Sequence, residues 1–356
     1  MSQKPEKPLI IVTGPTASGK SGVGVELARM MNGAVVSADS VQIYKGMDVG
    51  SAKITSGEMK GVEHFLISEL DPDEDFNVSV FVKMAEAAME RIYASGRVPV
   101  ITGGTAFYIQ ALLKGVMFED TTGADEGFRR DCEEVYDDPD PLRLEAFFEK
   151  HFQPDHKAYA CAHFPDDQQS GTGTYFPEYP LYGYLQITDP EYAETLHPNN
   201  RKRVIRALEY YRASGERYSE YNKREEARGS RFDHKYFVLE DDRGALYDRI
   251  NKRVDKMMAD GLEAEVRGLL EKGFDRNLKS MQSIGYKEMA AYIYGECSLE
   301  AAVEAIKQNT RHFAKRQMTW FRREKDVIPV DIREYGYDAS KIAEEMLSLI
   351  NGSTVD

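Results

Sequence analysis

Three features of the chain predict an α/β fold built on a parallel sheet. Short apolar runs end in glycine or a carboxylate, each is followed by a helical pattern, and the first such junction reads GPTASGKS at residues 14–21. Alternating strands and helices, with strands apolar throughout, imply a parallel sheet covered by helices on both faces. The chain is 356 residues long with 42% hydrophobic residues, enough to bury one large core or two modest ones.

The elements follow in order. PLIIVTG (8–14) reads as a buried strand. After Lys20 a helix is expected, with Val23, Leu27 and Met30 or Met31 facing inward. AVVSAD (34–39) is a second buried strand and ends in a carboxylate. Residues 76–96 form a helix with Phe81, Met84, Ala88 and Ile92 on one face, stopped by Gly96. VPVITGG (98–104) is a third buried strand, and TAFYIQALLKG (105–115) a helix with Thr105 as its N-cap. The texture then changes. Residues 116–170 hold fifteen Asp or Glu against five Lys or Arg, and 153–198 is rich in Tyr, Pro, Gly and His. Residues 120–197 are therefore expected to form an inserted, partly helical subdomain between two parts of a core, 1–119 and 198–356. Long helices return after 199. Residues 245–273 carry Leu246, Ile250, Val254 and Met257 on one stripe and a break at Gly261, and 299–324 carry Val303, Ile306, Phe313 and Trp320. One more short amphipathic helix follows residue 340, and there is no internal repeat.

A formal net charge of −14 argues against a general nucleic-acid binder, because nucleic acids are polyanions. The charge is uneven, however. Residues 199–235 hold eleven Lys or Arg against six Asp or Glu, and Lys307, Arg311, Lys315 and Arg322 recur on one helix face. The three cysteines, Cys132, Cys161 and Cys297, are widely spaced and odd in number, which fits a reducing cytosol. The polar start and the lack of a run of about 20 apolar residues predict no signal peptide, no membrane span and a cytoplasmic protein. A monomer is expected. His151, His156, Cys161 and His163 lie near one another, but at spacings that match no standard zinc finger.

GPTASGKS satisfies the G-x-x-x-x-G-K-[ST] phosphate-loop pattern at every required position. Its glycines let several amides wrap a phosphate, and the following helix adds the positive end of its dipole. Lys20 supplies a point charge for terminal phosphate oxygens, and the Ser21 hydroxyl is a candidate Mg²⁺ ligand. The usual occupant of such a loop is ATP. The usual acidic companion is missing, since VPVITGG ends in Thr102, Gly103 and Gly104. The nearest strand-end carboxylate is Asp39, which could act as a general base, support Mg²⁺ from its outer shell, or merely cap a turn. These residues alone leave two chemistries open. One is phosphoryl transfer by a small-molecule kinase, and the other is carbon transfer with a diphosphate leaving.

Further blocks narrow the choice. SADSVQIYKGMDVGSAKIT (37–55), VITGGTAFYIQALLKG (100–115), HPNNRKRVIRALEYYRASG (197–215), GLEAEVRGLL (261–270), SIGYKE (283–288) and KRQMTWFR (315–322), together with the phosphate loop, resemble the tRNA dimethylallyltransferase (tRNA isopentenyltransferase) family, in family order and over most of the chain outside 116–196. The resemblance implies a nucleotide-kinase-like P-loop core with a helical insertion that clasps the anticodon stem. It implies transfer of a dimethylallyl group from dimethylallyl diphosphate to N6 of the adenosine 3′-adjacent to the tRNA anticodon, with diphosphate released. Gly14, Thr16, Ala17, Ser18, Gly19, Lys20 and Ser21 would bind the donor, Ser21 through Mg²⁺, with Arg267 at the diphosphate and Asp39 as the base. Asp39, Ser40, Val41, Gln42 and Thr105 would hold the flipped adenine. Lys202, Arg203, Arg206, Gly285, Tyr286, Lys287, Lys315, Arg316, Gln317 and Arg322 would contact tRNA. Phe107 and Tyr108 are candidates to line a channel, with core packing the stronger reading for Phe107. The rival readings are an adenylate isopentenyltransferase acting on free nucleotides, a P-loop small-molecule kinase, and a nucleotide-controlled RNA-binding module.

Overall fold

A computed structural model describes residues 7–115, 125–152, 179–227 and 229–352. The chain divides into two compact units, one made of Met1–Gly115 and Ser230–Asp356, the other of Val116–Gly229. The first unit opens with β1 (Pro8–Thr13), α1 (Lys20–Met30), β2 (Gly33–Ser37), β3 (His64–Phe65), α2 (Val78–Ala94), β4 (Val98–Gly103) and α3 (Ala106–Lys114). The second unit holds α4 (Glu126–Asp137), α5 (Pro141–His151), α6 (Pro180–Thr188), α7 (Pro190–Glu194), α8 (Arg201–Ser214) and α9 (Tyr218–Ala227). The chain then returns with β5 (Asp233–Glu240), α10 (Arg243–Ala259), α11 (Leu262–Glu271), α12 (Tyr286–Ile293), α13 (Leu299–Phe321), β6 (Val327–Asp331) and α14 (Ala339–Asn351).

The six strands form one sheet in the order β3-β2-β4-β1-β5-β6, and every neighbouring pair is parallel. On one side of the sheet, Val23 and Leu27 of α1 pack with Ile342 and Met346 of α14 over Val12, Val100 and Phe237. Each such side chain taken fully from water contributes roughly 1.5–3 kcal/mol before the cost of ordering it. The long helices close near the phosphate loop, where Ala17 packs with Leu246 and Ile250 of α10 and Ala314 of α13.

The three expected strands and the helices after them are present, with Asn77 capping α2 through its side chain. Within α2, Phe81, Ala88 and Ile92 are buried as expected, but Met84 is only half-buried. After α1 it is Met31 that packs against the core, while Met30 is exposed. The break at Gly261 separates α10 from α11, and its φ of 99° explains why glycine stands there. Along α13 the buried residues are Ala302, Ile306, Ala314, Gln317 and Phe321; Val303, Phe313 and Trp320 are half-buried. Ala314 is the residue that packs with Leu246 and Ile250 of α10, so a stripe drawn through the largest apolar side chains misses part of the packed face. Three strands were not expected. β3 is two residues long, β5 opens on Asp233, His234 and Lys235, and β6 is an edge strand containing Pro329.

The insertion boundary is corrected. The second unit reaches residue 229 rather than 197, because Val204, Ile205 and Leu208 of α8 pack with Phe128, Phe147, Leu181 and Tyr184 in that unit's own core. Its buried Glu209 accepts hydrogen bonds from Arg129 (2.9 and 2.8 Å), Arg206 (3.0 Å) and the Asp125 amide (3.0 Å). A desolvated carboxylate needs this saturation. His151 donates its Nε2–H to the Asp131 carboxylate (2.8 Å) and packs against Phe128 and Phe147. The other residues of the zinc reading, His156, Cys161 and His163, lie outside the described residues, among which no metal-binding cluster occurs. Among the same residues no helix is long and apolar enough to cross a membrane.

Candidate active site

The carboxyl ends of β1, β2 and β4 meet at one edge of the sheet, where α/β folds place their ligands. β1 ends in the phosphate loop, β2 runs into Asp39, and β4 ends in Gly103 and Gly104. These segments border a cleft of about 610 Å³ within the first unit. Thr16, Ala17, Gly19, Lys20, Ser21, Asp39, Gln42, Gly103 and Arg253 are among its lining residues.

The loop is held in a conformation with little freedom. Gly19 caps α1 at φ 86°, and Ala17 sits at φ 65°, a region that L residues seldom adopt outside such turns. The first amides of α1 have no partner within the helix and are available to an anion. Gly14 and Ser18 are buried, and among the described residues the Ser18 hydroxyl has no hydrogen-bond partner. Among the described residues the Lys20 amine makes a single long hydrogen bond, to the Pro15 carbonyl at 3.4 Å. Burial and then the neighbouring Arg253 push its pKa down to about 8, while Asp39 pulls it up. Arg253, on α10, is itself held below the usual guanidinium range by burial, with Asp39 opposing. The site thus concentrates positive charge in a desolvated cleft. That arrangement is costly when empty and favours a polyanion.

Asp39 is anchored through one oxygen. Its Oδ1 accepts from the amides of Val41 (2.9 Å) and Gln42 (3.2 Å), while Oδ2 makes no hydrogen bond among the described residues. The turn-capping reading and a chemical one are therefore compatible, since each uses a different oxygen. Gln42 is buried on the cleft wall and donates weakly to the Ser51 carbonyl (3.4 Å). The wall formed by residues 48–50 is clamped from outside. Glu265 of α11 accepts the amides of Asp48, Val49 and Gly50 (2.8, 2.7 and 3.0 Å) and the Tyr286 hydroxyl (2.7 Å).

Some predicted residues lie elsewhere. Arg267 is not at the cleft; its guanidinium is exposed and paired one turn back with Glu263, at 2.9 and 2.8 Å. Tyr286 is fully buried against Gly50, and Gly285 is buried too, so neither presents a surface; Lys287 beside them is partly exposed. Gln317 is only 5% exposed. Thr105 is the N-cap residue of α3, as expected, but its side chain makes no capping hydrogen bond; its amide donates to Ala38 O (3.2 Å). Tyr108 is in the core, stacked on Phe81, whereas Phe107 is 41% exposed and meets Trp320 edge-on, the reverse of the expected assignment. Ser40 is exposed and Val41 half-exposed. Of the basic residues, Arg206 is engaged by Glu209, Lys307 by Asp255 and Arg311 by Glu304. Lys202 and Arg203 on α8, and Lys315, Arg316 and Arg322 at the end of α13, are exposed with no ion pair among the described residues.

The residue that sequence reasoning missed is Arg253. A signal was available, since Arg253 falls between Ile250 and Met257 on the inward side of α10, where an arginine needs a reason.

Comparison with known proteins is consistent across the whole chain. The family model for IPP transferase matches residues 42–324. A tRNA dimethylallyltransferase of Lachnoclostridium phytofermentans is 44% identical over 344 residues, covering 97% of each chain. The solved tRNA isopentenylpyrophosphate transferase of Bacillus halodurans is 35% identical, with a TM-score of 0.62, covering 97% of this chain and 100% of that one. A eukaryotic dimethylallyltransferase captured acting on tRNA is 25% identical, with a TM-score of 0.73, covering 97% of this chain and 80% of the other.

Proposed function

This chain belongs to the IPP transferase family, and we propose that it transfers a dimethylallyl group from dimethylallyl diphosphate to N6 of the adenosine 3′-adjacent to a tRNA anticodon. The observation that carries the reading is one cleft holding both a phosphate loop and a carboxylate with a free oxygen, Asp39. In the proposed reaction the adenine N6 forms a bond to the allylic carbon as the bond from that carbon to the diphosphate oxygen breaks. N6 is a weak nucleophile because its lone pair is delocalised into the ring. Asp39 Oδ2 takes the N6 proton as the C–N bond forms, while the two amides on Oδ1 hold the carboxylate still. Charge develops on the departing diphosphate, and Lys20, Arg253 and the loop amides, which line one cleft, would stabilise it. Arg253, which lines the cleft with the loop, would take the part first expected of Arg267, whose guanidinium pairs with Glu263 instead.

Mg²⁺ suits this donor set. The ion keeps waters and substrate oxygens rather than filling a protein cage, and Ser21 on the cleft wall would be its protein ligand. When bound, it neutralises diphosphate charge. Gln42 and Thr105 would meet the flipped base, and Lys202, Arg203, Lys315, Arg316 and Arg322 the tRNA phosphates. We further propose that the protein works in the cytoplasm as a monomer.

The test offers purified protein, Mg²⁺ and carbon-labelled donor either unmodified tRNA or AMP. Label on an adenosine beside the anticodon supports the proposal. Label in AMP alone moves the protein to free nucleotides.

A further inference from the structure

We propose that Gln317 is a positioning residue for this transfer: its carboxamide joins the Thr16 amide to the Gly104 carbonyl, and so fixes the phosphate loop relative to the β4–α3 connection, which is hydrogen-bonded to the segment that carries Asp39. The inference rests on the function proposed above.

The geometry is specific. Oε1 accepts from Thr16 N at 2.8 Å, and Nε2 donates to Gly104 O at 2.8 Å. The amide is used once as acceptor and once as donor, so only one of its two orientations satisfies both partners. The contact also requires glycine at 104, since a Cβ there would lie 2.4 Å from Nε2. Its place in the sheet explains why it is needed. β1 and β4 are paired as far as Thr13 and Gly103, where the Thr13 hydroxyl still donates to Gly103 O at 2.7 Å. Beyond that point the two chains separate into the phosphate loop and the β4–α3 connection. Gln317 reaches in from α13 to join them again, one residue past the last rung on the β4 side.

The second segment leads directly to the base. Thr105, after Gly104, donates its amide to Ala38 O at 3.2 Å, and Ala38 donates to Thr102 O at 2.9 Å. Ala38 is bonded covalently to Asp39. One side chain thus ties the loop that would hold the leaving group to the segment that holds the proton acceptor. Its neighbours Lys315 and Arg316 are exposed on the same helix, so the buried Gln317 differs from them in kind. Transfer requires the reacting atoms at about 3–3.5 Å, and a misplacement of about 1 Å can cost ~10²-fold in rate.

Two variants test the assignment. Gln317→Leu keeps most of the volume and removes both hydrogen bonds. Gln317→Glu keeps the acceptor for Thr16 but places an oxygen against the Gly104 carbonyl until the carboxyl is protonated. The single-turnover rate at saturating donor and tRNA is measured for each across pH, together with tRNA affinity and thermal melting. Gln317→Leu is expected to slow transfer by ~10²-fold with tRNA affinity unchanged. Gln317→Glu is expected to recover, relative to the wild type, as pH falls and the donor is restored. A purely structural residue would lower the melting temperature without giving Gln317→Glu a new pH dependence. If Gln317→Leu does not fold, Gln317→Glu alone decides. Folded variants within threefold of the wild-type rate, or a Gln317→Glu profile parallel to the wild type, overturn the assignment. Absence of transfer by the wild type would instead be a failure of the proposed function.

Discussion

If Lys20 binds the donor diphosphate, donor affinity should fall as pH rises through about 8. In the empty cleft the Lys20 amine loses its proton near pH 8, because burial and Arg253 disfavour its charge. A diphosphate beside it favours the charged form and raises that pKa. Protonated Lys20 is therefore the better binder, which fixes the sign: binding takes up a proton, and affinity declines above the free-state value. With a pKa of about 8, roughly nine-tenths of the amines are charged at pH 7 and roughly one-tenth at pH 9. Affinity should fall about tenfold between these values, equivalent to about 1.4 kcal/mol. Calorimetric titration with a non-reactive analogue of the donor, at four pH values from 6.5 to 9.5, measures the change. The Lys20→Met variant, titrated in parallel, removes contributions from the ligand and other groups and should give a flatter profile. Equal pH dependence in the two proteins would refute the reasoning.

Asp39→Asn should keep the turn, since the amide oxygen can still accept from Val41 and Gln42, yet lower single-turnover transfer by ~10²-fold or more, with tRNA affinity retained; a normal rate would remove Asp39 from the chemistry. Arg253→Ala should weaken donor binding at least tenfold, whereas Arg267→Ala, which breaks an exposed pair with Glu263, should change it less than twofold, and the reverse ranking would restore the original expectation. Neutralising Lys202 and Arg203 together should reduce the slope of log affinity for tRNA against log salt by about 1.4–1.8, as two phosphate contacts require, and an unchanged slope would exclude both. Tyr286→Phe removes a buried hydrogen bond to Glu265 and should cost about 1–3 kcal/mol in denaturant unfolding; a stability loss below 0.5 kcal/mol, an order-of-magnitude threshold, would show that the clamp does not hold the 48–50 wall.

What could be read from the sequence was whatever lies close together in the chain. The phosphate loop is contiguous, and apolar runs on either side declare its strand and helix, so the placement of Lys20 and Ser21 at the cleft was legible. Asp39 was legible as well, because a carboxylate ending a buried strand reaches the sheet edge. Arg253 was not, since it enters the cleft from α10 and only the tertiary packing tells its face from that of Arg267, fourteen residues on. Gln317 and Tyr286 stand in blocks that resemble tRNA-contacting segments. Block matching does not distinguish a side chain turned outward, such as Lys315, from one turned into the protein. The boundary of the second unit was misplaced for a similar reason. The amphipathic pattern of α8 shows that it needs a core but not which one, and the end of the Tyr-, Pro-, Gly- and His-rich stretch at 198 suggested a boundary there. The centre of β5 is buried, yet the strand opens on an exposed Asp233 and half-buried His234 and Lys235 at its amino end, which hid it among helices.

The central claim is that this phosphate loop holds a group that leaves, so that carbon rather than phosphorus is transferred. A donor labelled in both parts tests it most directly. Dimethylallyl diphosphate carrying one label on carbon and another on phosphorus is mixed with the protein, Mg²⁺, ATP and unmodified tRNA, and both labels and the ATP are followed. The account predicts the carbon label on an adenosine beside the anticodon and, in equal amount, the phosphorus label as free diphosphate. Phosphorus label in the tRNA, or carbon label remaining in the donor while ATP is hydrolysed, would contradict it.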